Sequence, residues 1–107
     1  MGQMYLQHFA YRDGILKSEL DAAWNEAFKA FARSGNWGGA PKGINHHHTY
    51  GTGTGGYILI DVDDHEAFAD YQAFHLQTYG HVVTVTWEPL FDMDRTFAPV
   101  IQQLAED

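Results

Sequence analysis

Apolar positions recur with a period of two in four stretches of this chain and with a helical period in three others. From Gln3 to Tyr11 the alternation puts Met4, Leu6, His8 and Ala10 on one face and Tyr5, Gln7, Phe9 and Tyr11 on the other. Neither face is plainly polar, as expected of a strand covered on both sides or facing a lined cavity. Arg12-Asp13-Gly14 reads as a turn. Ser18, with Asp21 three places on, reads as a helix N-cap with an acidic first turn. From Glu19 to Arg33, Leu20, Ala23, Trp24, Ala27, Phe28 and Phe31 form one helical stripe, and Ser34-Gly35 ends it. Asn36 to Gly43 is a loop in which Trp37 folds back onto the body.

Ile44 to Tyr50 is the second predicted strand, and the Gly/Thr run from Gly51 to Gly56 is a hairpin turn because both its flanks are strand-like. Tyr57 to Val62 is the third strand. Asp63 or Asp64 caps a second helix that reaches about Tyr79, with Gly80 as its stop and with Ala67, Phe68, Tyr71, Phe74, His75 and Thr78 on or near its buried stripe. His81 to Glu88 alternates again and ends at Pro89. Asp94 to Ala105 carries Phe97, Val100, Ile101 and Leu104 on a short amphipathic helix, where Pro99 is tolerable only near the first turn. The order β-α-β-β-α-β plus a terminal helix predicts an α+β, ferredoxin-like domain over residues 1–107, its two main helices on one face of an antiparallel sheet. The other sheet face is too apolar to leave wet, which predicts a homodimer packed sheet against sheet.

Composition narrows the partners. The chain has 107 residues, enough for one core, and a formal net charge of −8 from 14 acidic and 6 basic residues. The few basic residues are scattered, which argues against nucleic acid. No apolar run approaches the roughly 20 residues of a membrane span, and Met1 to Ala10 lacks a signal-peptide pattern. Cysteine is absent, so any metal must be held by nitrogen and oxygen; missing disulfides and signal together point to the cytoplasm.

Several segments carry a family likeness. Gly39-Ala40-Pro41, the polar and aromatic strand with its Gly-rich turn from His46 to Gly56, and the aromatic-aliphatic strand closing in Asp63-Asp64 are the first three. An Ala-Phe helix and the Val-rich strand from Val82 to Pro89 complete the set. On these residues, about half its length, the chain resembles the dimeric α+β barrel superfamily, and within it a bacterial domain family. The superfamily includes cofactor-free monooxygenases, haem-degrading enzymes and haem-binding peroxidases. The resemblance implies a ligand between sheet and helices. It also implies a possible haem site at His75, because a helix histidine is the iron ligand in the haem-degrading members.

The residues themselves offer three constellations. On a regularly alternating strand His46 and His48 share a face, close enough to converge on a first-row metal. The first strand can present His8 to the same place, giving three imidazoles and an open position, with Asp61 or Glu88 as a carboxylate option. Such a set suits a divalent transition metal (zinc, copper, iron or nickel). The plainer reading makes these histidines packing residues of the dimer interface. In the metal reading the ion acts as Lewis acid or oxygen-binding centre on a small organic substrate, with His75 and Tyr50 as proton-transfer partners. The second constellation is His75 in line with Tyr71 and Tyr79. The third is the strand aromatics Tyr5, Phe9, Tyr11, Tyr50, Tyr57 and Trp87, which either form an ordinary core or line a cavity for a flat, apolar small-molecule ligand. A cofactor-independent monooxygenase-like site or a non-catalytic binding module follows from the cavity reading. Asp61, Asp63 and Asp64 are assigned to a strand end and helix cap.

Overall fold

Neither face of β1 (Gln3–Tyr11) is plainly polar, as suits a central strand, and in the computed structural model, which describes residues 2–106, it lies inside the sheet with a strand on either side. The remaining elements are α1 (Lys17–Ser34), β2 (Ile44–Thr52), β3 (Gly55–Val62), α2 (His65–Tyr79), β4 (Val83–Pro89) and α3 (Met93–Glu106). All strand pairs are antiparallel, in the order β2-β3-β1-β4. This is the ferredoxin-like α+β topology that the pattern predicts.

Register decides which side chains meet. Gln7 lies between Ile58 and Trp87, and Phe9 between Gly56 and Val85. These positions face α1 and α2, and together with Ile60, Val62, Phe68 and Tyr71 they form the core. From α1 the buried residues are the small ones, Ala23, Ala27 and Ala30. They let the helix approach closely, while Leu20, Trp24 and Phe31 pack at its flanks. Phe28, expected on the buried stripe, is mostly exposed and stacks on Trp24 with ring centres 5.5 Å apart.

Helix ends show where local reading succeeds. α1 stops as expected at Gly35, whose φ of 81° is the left-handed cap conformation. Its start lies earlier than expected: Leu16 is the N-cap, and its N–H donates to the Glu19 carboxylate at 3.4 Å. Ser18 is inside the helix, and Asp21 pairs with Lys17 at 2.6 Å instead of closing a capping box. At α2, Asp64 accepts from the Glu66 N–H at 3.0 Å.

The β2–β3 hairpin is longer than predicted, with both strands running into the Gly/Thr segment and only Gly53-Thr54 left as the turn. Gly55 is required there, since a Cβ would collide with the Phe9 carbonyl oxygen. More consequential is a β-bulge: His46 pairs with Ile60 and His48 with Leu59, so His47 is an extra residue. Same-face placement of His46 and His48 is therefore wrong. His46 is on the helix side with Ile60, and His48 is on the open face with Leu59.

α3 forms where expected, but Pro99 lies in its interior rather than its first turn. A proline there removes one backbone bond and costs a helix about 3 kcal/mol. Every residue from Phe91 to Glu106 is exposed, and among the described residues no other element packs substantially against α3. The described chain measures 62 × 30 × 19 Å.

A cleft between sheet and helices built around His75

α2 carries Tyr71, His75 and Tyr79 one turn apart, so their rings stack along a single helix face. All three are buried. The His75 ring centre lies 4.4 Å from Tyr71, 5.1 Å from Tyr79 and 5.7 Å from Trp87 on β4. His75 Nδ1 is 2.8 Å from the Tyr71 carbonyl oxygen. A carbonyl only accepts, so Nδ1 carries the proton and Nε2 of the neutral ring holds a lone pair. Nε2 is fully buried and has no hydrogen-bond partner among the described residues.

Burial pushes the His75 pKa down to about 4, against a smaller opposing contribution from the bond to Tyr71. The ring is neutral at pH 7. Tyr71 and Tyr79 are held as neutral phenols, their pKa values raised first by burial and then by the Tyr79 and Glu26 charges respectively.

Gln7 supports this group from β1. Its side-chain oxygen accepts from the Tyr71 hydroxyl at 2.8 Å and from Trp87 Nε1 at 3.0 Å. Tyr79 donates to the Trp37 carbonyl at 2.6 Å, which ties the 36–43 loop to α2, and Gly38 lies against the Tyr71 ring where no side chain fits. Trp37 in turn donates through Nε1 to Thr49 Oγ1 at 2.8 Å. These bonds hold the walls of a cleft of about 50 Å³ lined by Phe9, Tyr11, Trp24, Trp37, Ile58, His75, Val83 and their neighbours. Counted as room for water centres, one water needs about 10–15 Å³. The cleft therefore admits roughly three to five waters.

The predicted site residues divide between two sides of the sheet. His75 lines the cleft. His46 is on the same side but belongs to its rim, edge-on to Phe31 at 4.9 Å and bonded through Nε2 to Thr49 Oγ1 at 2.7 Å. Its pKa is lowered by burial first and then by the His48 and His47 charges. Tyr50 is on the open face, 53% exposed, with the His48 ring 4.4 Å away. It cannot share a proton with His75 across the sheet. His8 is also on the open face, 4.8 Å from Tyr57. β3 separates His8 from His48, which puts their backbones about 10 Å apart or more. The three imidazoles proposed as ligands are thus not gathered, and no group of three or more His, Asp or Glu is placed to hold a metal among the described residues.

Of the strand aromatics, Phe9 and Tyr11 line the cleft, Tyr5 packs on Phe68 at 4.4 Å, Trp87 borders His75, and Tyr50 and Tyr57 lie outside. A haem, at least as large as the drug-sized ligands whose pockets start at roughly 300 Å³, does not fit the cleft as it stands. Sequence reasoning assigned no role to Gln7. The available signal was a lone amide among the aromatics of one strand face, at a position that requires buried donors nearby.

Comparison with known proteins adds little beyond the fold. No family model and no curated protein matches the chain. Among solved structures, a dimeric ferredoxin-like protein of unknown function from Thermobifida fusca YX is similar over 84% of this chain and 93% of its own, at a TM-score of 0.47 and 14% identity. No helix among the described residues is long and apolar enough to cross a membrane.

Proposed function

We propose that this protein binds a small, flat, largely apolar molecule carrying one O–H or N–H donor, a phenol-sized compound, in the cleft between its sheet and helices. The observation that carries this reading is the buried lone pair of His75 Nε2 beside an apolar cleft. A buried acceptor without a partner costs about 1–3 kcal/mol, and a ligand donor that reaches it recovers that cost. The pKa of about 4 also sets the chemistry. A base that weak is mismatched to proton abstraction at neutral pH, so the ring serves as an acceptor and the protein as a binding module.

Titration of phenol, with toluene as the donorless comparison, tests the reading through the fluorescence of Trp24, Trp37 and Trp87. Phenol is expected to bind about tenfold more tightly than toluene, the value of one hydrogen bond, and His75→Leu is expected to erase the difference. Equal affinity for the two compounds in the wild-type protein would rule the reading out.

The open sheet face supports a second role, self-association. It presents Tyr50 and Tyr57, 53% and 39% exposed, next to His8 and His48. Half-buried Leu6 and Leu59 lie on the same face, an apolar surface suited to a second copy.

A further inference from the structure

We infer that α3 is an arm covered by a second copy of this chain, the stripe of each arm packing on the other copy. Met93, Phe97, Val100, Ile101 and Leu104 recur at helical spacing on one side of α3 and are 55%, 42%, 58%, 63% and 68% exposed. A helix of 14 residues with Pro99 in its interior is marginal in water on its own, because isolated helices of about 12–15 residues barely hold even without a proline. Among the described residues no other element packs substantially against α3, and none of its own residues is buried. A persistent helix here therefore requires an apolar partner.

The size of the stripe points to a second copy. An aromatic such as Phe97 buries about 150–250 Å² and Met93, Val100, Ile101 and Leu104 are smaller, so five side chains at these exposures leave on the order of 500 Å² of arm to cover. Two arms and the surfaces they cover then reach about 2,000 Å², the upper end of a standard stable interface. A bilayer is the poorer occupant. α3 carries Asp94 and Glu106 against a single Arg95, on a chain of net charge −8, and anionic lipid would repel it. The inference does not rest on the cleft, and it uses a surface other than the open sheet face.

Sedimentation equilibrium on the full chain, on Ile101→Asp and on Tyr57→Asp decides it, with flotation on phosphatidylcholine–phosphatidylglycerol vesicles alongside. Wild-type protein is expected to be a dimer, and Ile101→Asp to raise the dissociation constant about a hundredfold, as loss of a central anchor does. Far-ultraviolet circular dichroism should lose helix signal as that variant dissociates. The body of the variant stays folded, since Ile101 touches no core residue. A dimer weakened by Tyr57→Asp but untouched by Ile101→Asp would overturn the arm and leave the sheet face as the interface. A monomer at every concentration overturns both, and a monomer that floats with the vesicles assigns the stripe to lipid.

Discussion

One nitrogen of His75 is committed to a helix carbonyl, and the other is buried with no hydrogen-bond partner among the described residues. The consequence is legible in pH. Because the folded chain holds this ring's pKa at about 4, well below the ordinary 6.5 or so, the unfolded chain takes up the proton first as pH falls. The stabilising contribution is complete above about pH 6.5 and is lost on the way down to about pH 4, a loss of about 3 kcal/mol. Urea unfolding at pH 7.5 and pH 4.5 should show it, and His75→Leu should flatten the difference relative to the wild-type protein. An unchanged pH dependence in that variant would mean that the ring is not neutral in the fold. The alignment of His75 with Tyr71 and Tyr79 could be read from helical spacing alone. The bond from the Tyr71 hydroxyl to Gln7 could not, because 64 residues separate the two.

Element boundaries were largely readable in the alternation, while the histidine-bearing strand was not. Periodicity assigns faces correctly only while every residue of a strand has a partner. His47 has none, so parity changes at that point and His48 moves to the side opposite His46. Whether a strand bulges depends on what both of its ends must reach. Here Ile44 is fixed against Val62 and Thr49 against Ile58, one residue more than a regular ladder holds. Deleting His47 should therefore be tolerated. The two halves of β2 keep their faces, and we expect a melting temperature within about 5 °C of the full chain, since surface changes away from core features cost little. Calorimetry would check this, and a collapse in stability would show that the extra residue itself holds the edge strand in place. The cap of α1 was also misread, for a related reason. Ser18 had the right chemistry, but Leu16, itself extended after the Asp13-Gly14 turn, is the cap, and the helix begins at Lys17.

As a whole, the molecule has a body that closes on itself and an arm that does not. The core and the residues packed against it lie between Tyr5 and Trp87, so a chain ending at Leu90 should fold with the body intact. Its melting temperature should rise less steeply with concentration than that of the full chain, because only the full chain gains from mass action through α3 in addition to the open sheet face. Identical concentration dependence in the two would argue that the arm makes no assembly contact. The fold was visible in the order of periods, whereas the arm's isolation was not, since an amphipathic stripe looks the same whether its cover comes from its own chain or another. The central strand has one more implication, for anyone who would redesign this protein. Odd-numbered β1 positions look toward the helices, those from Gln7 to Tyr11 into the cleft, and even-numbered ones toward the exposed side. Randomised libraries drawn from one parity can retune the pocket, and those from the other can alter surface adhesion, with neither screen contaminating the other.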